Sequence, residues 1–275
     1  MDNKFKTVSG LWFSPTGTTK KTVSAIVGSI AKNLKNECEL NKISLTLPSE
    51  RVRPLVYKSG DIVVLGVPVY AGRVPNILLK YLDTLRGNKA IGIPVVLYGN
   101  RNYDDALVEL SDMMTEKGFK VMAAGAFIGE HSFSKILGEK RPDEDDIDKA
   151  KDFGFEISNK IKDIDIDVKL KIKGNQPYRS YYRPRGINGE FYDFRKIKPK
   201  TNDKCIDCKI CVSLCPVGSI DLDDVSKFNG ICIKCGACVK GCPRKAKYYD
   251  DVNYLKHKHE LEEEYESRKE IEIFL

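Results

Sequence analysis

The chain has 275 residues, 41% of them hydrophobic and 31% charged, with a formal charge of +7 and nine cysteines. That is long enough for one large domain or two smaller ones and apolar enough to bury a core, so a disordered chain, a fibre and a polytopic membrane protein are excluded. The odd cysteine count excludes a complete set of internal disulfides, and the basic balance calls for an acidic partner such as a nucleic acid, a membrane surface, a phosphate ligand or an acidic protein.

The first ten residues, MDNKFKTVSG, carry neither a basic leader nor a long apolar stretch. No run of about 18 apolar residues follows, so neither a signal peptide nor a membrane span is expected, and a reducing cytoplasm is the expected compartment. Residues 1–167 are nearly neutral, at +1; residues 168–198 carry +7, residues 199–250 carry +3 and residues 251–275 carry −4. The organisation expected is therefore a body, a basic connector, a module and an acidic tail.

The body alternates strands and helices. FKTVSGLWFS (5–14) reads as a strand, and 19–34 as a helix with Val23, Ile26, Val27 and Ile30 at helical spacing. Strands are predicted over 37–45, 61–70, 91–99 and 119–129, and helices over 75–86, 104–118 and 143–164. Near-continuous apolar strands between helices imply an α/β fold with a doubly wound, five-stranded parallel sheet. Ligands of such a sheet bind beyond the carboxyl ends of its strands.

Ser14-Pro15-Thr16-Gly17-Thr18-Thr19 stands where the first strand hands over to the first helix. Free N–H groups and the positive dipole end of a helix suit a phosphate there, and the hydroxyls add donors. The alternative is an ordinary Ser/Thr-capped helix. The loop is neither a P-loop nor a GxGxxG dinucleotide loop.

This loop resembles the FMN phosphate loop of the flavodoxins, and the resemblance extends over roughly residues 3–165. It implies two flavin loops after the third and fourth strands, Pro68-Val69-Tyr70-Ala71-Gly72-Arg73 and Tyr98-Gly99-Asn100-Arg101-Asn102-Tyr103-Asp104. Tyr70 and Tyr103 are the candidates for stacking on the isoalloxazine. Arg73 and Arg101 distinguish these loops from acidic flavodoxin loops. A cation beside the ring would stabilise the anionic hydroquinone, so a less negative hydroquinone couple is expected. His131, in the loop after the last strand, is expected to be a solvated histidine.

Eight cysteines lie between Cys205 and Cys242. CIDCKICVSLCP (205–216) and CIKCGACVKGCP (232–243) share seven of twelve positions at an offset of 27, an internal duplication. Each copy is C-x2-C-x2-C-x3-C-P, the established run of bacterial ferredoxins with two 4Fe–4S clusters. Three cysteines at two-residue intervals can address three irons of one cube, and the fourth is carried away by the chain-turning proline. Zinc usually takes two separated CxxC pairs, and disulfides fit poorly without a secretion signal. The segment 199–250 resembles a whole two-cluster ferredoxin, a small α+β domain. The resemblance implies one cluster on Cys205, Cys208, Cys211 and Cys242, and another on Cys232, Cys235, Cys238 and Cys215. Cys38 falls outside the pattern and is expected to be a buried small hydrophobe.

The connector 168–198 interleaves nine Lys/Arg with Tyr178, Tyr181, Tyr182, Phe191, Tyr192 and Phe194. Single-stranded nucleic acid is held by such a mixture; an ordered linker packed on its own domains is the preferred reading. The tail 251–275 reads as an acidic terminal helix with Leu255, Leu261 and Tyr265 near one face.

The whole resembles the flavodoxin–ferredoxin fusion proteins of anaerobic bacteria and archaea. The resemblance implies FMN, two 4Fe–4S clusters and electron transfer, with a ferredoxin or another acidic electron carrier as partner. A second reading is an FMN-dependent reductase of a small acceptor, such as a quinone, nitro compound or flavin, wired through the clusters. A third is a redox-sensing regulator that binds nucleic acid through the connector.

Overall fold

The structure is a computed structural model. It describes residues 5–34, 38–162 and 170–275. Strand β1 (Thr7–Trp12) leads through a short loop into helix α1 (Thr18–Asn33). There follow β2 (Glu39–Ser44), β3 (Asp61–Pro68), α2 (Asn76–Leu82), β4 (Ile91–Tyr98) and α3 (Ala106–Glu116). β5 (Lys120–Val121), β6 (Ala124–Ile128) and α4 (Glu144–Lys160) complete the body.

The strands lie in the order β2-β1-β3-β4-β6, all parallel, with Leu11 opposite Leu65 and Val95 opposite Gly125. β5 pairs with the start of β4, so the strand expected over 119–129 is interrupted at Met122 and Ala123. Alternation along each strand feeds two cores. Ile62 and Val64 point to α1 and α4, while Val63 and Leu65 point to the layer of α2 and α3. Cys38 precedes β2 and is half-buried, less enclosed than expected.

α4 begins at a capping box in which the Asp143 carboxylate accepts from the Asp146 N–H. Arg141 and Asp146 form a buried pair just before it. Residues 163–169, where the connector was expected to begin, lie outside the described residues.

The duplication is preserved in the backbone of the cysteine-rich module. Short helices α5 (Ile210–Ser213) and α6 (Ala237–Lys240) start at equivalent positions, 27 residues apart. Left-handed backbone recurs at Asp207, Lys209 and Gly218, and again at Lys234, Gly236 and Lys245. Strands β7 (Lys200–Thr201) and β8 (Lys247–Tyr248) tie the two ends of the module together.

The tail departs from the expected terminal helix. α7 covers Val252–Glu264, capped by the Asp251 carboxylate, and the chain then runs back to the body. There β9 (Glu272–Phe274) pairs antiparallel with β6, Gly125 opposite Ile273. It covers what would otherwise be a bare sheet edge. Arg268 pairs with Asp143, and Arg141 donates to the Lys269 carbonyl at 2.7 Å, so the tail is fastened before it enters the sheet. Among the described residues no helix is long and apolar enough to cross a membrane.

A chain ending at Glu264 should keep its parallel sheet but lose edge protection. Hydrogen exchange at the β6 amides is expected to rise roughly tenfold or more, as in a locally opened element; unchanged exchange would show that β9 adds no stability there.

Candidate functional site

Three loops meet beyond the carboxyl ends of the strands. In the first, Ser14 Oγ accepts from the Lys20 N–H at 3.0 Å, and the Ser14 N–H donates to Thr46 Oγ1 at 2.9 Å. Gly17 precedes α1 at φ 91, a left-handed conformation that costs other residues about 1–2 kcal/mol. Thr16 and Gly17 are exposed, Ser14, Pro15 and Thr18 half-buried, and Thr19 buried. No acidic side chain occupies the first turn of α1. The hydroxyls of Thr19 and, one turn on, Thr22 are buried without a hydrogen-bond partner among the described residues. An orphaned hydroxyl beside an uncompensated helix N-terminus is what an anion such as a phosphate satisfies.

In the second loop, Tyr70 and Arg73 exchange backbone hydrogen bonds across Ala71 and Gly72. This follows Pro68, the last residue of β3, and half-buried Val69. Tyr70 meets the Phe13 ring edge-on at 6.5 Å. Burial pushes its hydroxyl well above the ordinary value, with the charges of Cys235 and Cys232 adding to the effect. A Cβ on Gly72 would stand 2.6 Å from Asp104 Oδ2, so the second and third loops are in contact.

The third loop is less open than expected. Tyr103 does not offer its face to a ligand: its ring packs 5.6 Å from Tyr98 in the core, and its hydroxyl donates to Glu272 of β9 at 3.0 Å. Asn100 is also buried, and its side-chain amide donates to the carbonyls of Tyr265 and Ser267 at 2.6 and 2.9 Å. Gly99 packs against His131, and Asn102 is exposed.

Both loop arginines have carboxylate partners. Arg73 forms a bidentate pair with Glu109 at 2.7 Å, and its guanidinium lies 4.8 Å from the Tyr178 ring and 5.1 Å from the Tyr181 ring. Arg101 pairs with Asp104 and lies 5.4 Å from the Tyr182 ring. Neither is the free cation on which the expected shift of the flavin couple was based. His131 is half-buried, less solvated than expected: burial first, then Lys240, His257 and Arg101, lower its pKa to about 3, so the imidazole is neutral.

The eight module cysteines gather in two quartets. Cys205, Cys208, Cys211 and Cys242 line one hollow with Val225 and Lys247. Cys215, Cys232, Cys235 and Cys238 line the other with Ile220 and Phe228. Each quartet takes its fourth sulfur from the opposite copy. The Ser219 N–H donates to Cys215 Sγ at 3.3 Å, and its duplicate, the Ala246 N–H, donates to Cys242 Sγ at 3.2 Å. Burial pushes the Cys235 thiol up to about 12, whereas at Cys242 backbone donors outweigh burial and lower it. Among the described residues no three His, Cys, Asp or Glu side chains close on a single metal ion. Four sulfurs around a hollow are the donor set of an iron–sulfur cluster.

The second quartet faces the loops of the sheet. Ile233 and Tyr70 pack on the same core cluster. Lys240 pairs with Glu130 and donates to the His131 carbonyl at 2.7 Å. Arg51 donates to the Pro216 carbonyl at 2.9 Å. Gly236 shows why a duplicate position diverged. Its counterpart Lys209 is also left-handed, so the loop tolerates a side chain, but a Cβ at 236 would stand 2.6 Å from the Ser132 carbonyl.

The connector is a strap over these loops. Asp105 is fully buried and accepts from the Asn175 and Arg179 N–H groups at 3.0 and 2.7 Å. The Tyr181 hydroxyl donates to the Val74 carbonyl, and the Tyr182 N–H to the Ala71 carbonyl. Asp105, Arg51 and Lys240 were missed in the sequence because each is defined by a partner far along the chain, and for the same reason Asn100 was expected in the flavin loop without its hold on the tail.

Residues 204–247 match a family model described as a 4Fe-4S dicluster domain. Among solved structures, a flavodoxin from the domain Archaea aligns at 18% identity over 57% of this chain and 99% of that one, with a TM-score of 0.41. A Streptococcus pneumonia TIGR4 flavodoxin aligns at 17% identity over 56% and 98%, with a TM-score of 0.39. An NADH:FMN oxidoreductase in its apo form aligns at 15% identity over 56% and 89%, with a TM-score of 0.41. No curated protein matches the chain by sequence. The strand order is that of a flavodoxin-like doubly wound sheet. The chain thus joins a flavodoxin-like α/β sheet to a ferredoxin-type domain.

Burial raises the Asp105 carboxyl, but the Arg179 and Asn175 donors outweigh it and bring its pKa down to about 2. A lowered carboxylate stabilises fully above its unfolded value of about 4 and loses that contribution as pH falls through the folded value. The melting temperature of Asp105→Asn should lie below wild type at neutral pH, and the gap should close between about pH 4 and 2. A gap that does not change with pH would contradict this role.

Proposed function

We propose that the chain is an electron-transfer flavo-iron–sulfur protein that passes electrons between an external one-electron carrier, two 4Fe–4S clusters and FMN. FMN accepts one or two electrons and each cluster one, so together they convert between single and paired electron traffic. The observation that carries this reading is the position of Tyr70. It belongs to the loop after β3, packs on Phe13 behind the phosphate loop, and lies within electrostatic reach of Cys235 and Cys232. A flavin bound by the three loops would therefore adjoin the second quartet.

In this reading residues 14–19 bind the FMN phosphate, with the Thr19 hydroxyl among the donors. Residues 68–73 and 98–104 flank the ring. Tyr70 is the aromatic platform, while Tyr98, Asn100 and Tyr103 support the loop from beneath. Cys205, Cys208, Cys211 and Cys242 hold one cluster, and Cys215, Cys232, Cys235 and Cys238 the other. The second cluster is proximal to the flavin. The first is the exchange point with a partner, which agrees with the exposure of Cys208.

The alternative, a flavin reductase of a small acceptor, needs an open face over the ring. The second cysteine motif and the strap both lie against the flavin loops, which favours the carrier. Two cations of the strap are also engaged by the body and tail: Arg179 pairs with Asp105, and Lys173 with Glu272. That engagement weakens the nucleic-acid reading.

Anaerobically purified chain should hold one FMN, eight irons and two distinct cluster signals in electron paramagnetic resonance. Cys208→Ser should lose or convert one cluster signal and leave the flavin in place, whereas Thr19→Val should weaken FMN binding and leave both clusters. A chain with neither chromophore would overturn the proposal.

A further inference from the structure

The two quartets are related by the duplication, yet their walls differ at several pairs of positions, and one of these places a buried charge on one side only. Ile220 and Lys247 are equivalent, each five residues after the last cysteine of its copy. Ile220 lines the hollow of the second quartet, and Lys247 that of the first. Both are buried; the lysine is only 3% exposed.

A lysine is rarely buried without a carboxylate. Lys247 donates to the Val225 carbonyl and lies 5.3 Å over the Phe228 ring, and these are its side-chain contacts among the described residues. The backbone around it is fixed: Lys247 pairs with Thr201 across the β7–β8 ladder, and the Asn202 N–H donates to the Ala246 carbonyl at 3.0 Å. The ammonium cannot swing out to solvent without breaking this corner. Val225 belongs to the wall of the first hollow and Phe228 to that of the second, so the charge lies between the two quartets and closer to the first.

We propose that Lys247 is an internal cation that raises the reduction potential of the cluster on Cys205, Cys208, Cys211 and Cys242 relative to that of the other cluster. The inference rests on the two-cluster reading above. A four-cysteinate 4Fe–4S cluster is anionic and gains one negative charge on reduction. A fixed cation stabilises the reduced form more than the oxidised one, and inside the protein the effect is weakly screened. Ile220 supplies no such charge from the wall of the second hollow; the buried lysine beside that quartet, Lys234, turns its ammonium to the Cys232 carbonyl and does not line the hollow. An electron arriving from a partner is therefore held on the outer cluster, and transfer inward to the second cluster and the flavin runs uphill until a second electron or an acceptor draws it on. Lys247 is a tuning residue that touches neither a partner nor the flavin loops.

The test is a redox titration of the full chain with both clusters loaded, followed by electron paramagnetic resonance. Cys208→Ser in each background identifies the wave of the first cluster. Lys247→Ile copies the duplicate, and Lys247→Met keeps the length without the charge. In both, the reduction equilibrium of the first cluster should move about tenfold or more towards the oxidised form, or about 59 mV for a one-electron couple. The second cluster should move less, so the two waves converge. Lys247→Arg should keep the wild-type spacing, and the shift should persist at about 0.5 M salt, where a surface charge is screened. Unmoved waves in both neutral variants, or a larger shift in the second cluster, would overturn the inference. A wild-type chain with a single cluster wave would overturn the two-cluster reading itself.

Discussion

The pairing of the last strand with β6 is the constraint that returns the chain to the body after the cysteine-rich module. Without it the module would keep only the connector and its own contacts through Lys240 and Arg51. With it, the chain leaves the sheet after α4 and returns to its edge at β9, so the module is held from both ends. Asn100 reinforces the closure. It belongs to a loop at the carboxyl end of β4, and it grips the tail through the carbonyls of Tyr265 and Ser267 and the Lys269 N–H. A residue expected in a flavin loop is spent on holding the tail.

The strap does the same from the other side. Its basic residues and aromatics are spent on the body. Arg179 and Asn175 converge on Asp105, Tyr178 and Gln176 on Asp112, and Tyr178 and Tyr181 face the Arg73 guanidinium. Tyr182 then stacks on His257 of α7 at 5.7 Å, so strap, tail helix and body meet in one aromatic cluster. Two of the connector's cations, Arg179 and Lys173, are thus met by carboxylates elsewhere in the chain. The first quartet is the more open of the two, with Cys208 and Ile206 exposed.

Local signals in the sequence carried far. Alternating apolar runs and helical spacing identified the parallel sheet, because residues such as Ile62 to Leu65 report burial on both faces without reference to anything distant. The cysteine spacing carried the quartets for the same reason: the ligand pattern is short and its duplication visible. The failures share the opposite cause. Tyr103 looked like a flavin platform because nothing near it announces Glu272, which lies 169 residues on. Arg73 and Arg101 looked like free cations because Glu109 and Asp104 were read as parts of a helix. The tail looked wholly helical because three strand residues at a terminus carry almost no pattern of their own. Lys247 was simply one lysine of nine basic residues in its segment until its burial in the wall of a cysteine hollow distinguished it.

The account stands or falls on whether the second quartet and the flavin loops form one continuous redox unit within a single chain. The direct measurement is rapid-mixing absorbance. The clusters of the loaded full-length protein are reduced by a one-electron donor, and flavin reduction is followed over a range of protein concentrations. The structure predicts a flavin phase whose rate is independent of protein concentration and is lost in Cys235→Ser. A rate that rises in proportion to protein concentration would show electrons crossing between molecules, and would contradict the arrangement of the two domains described above.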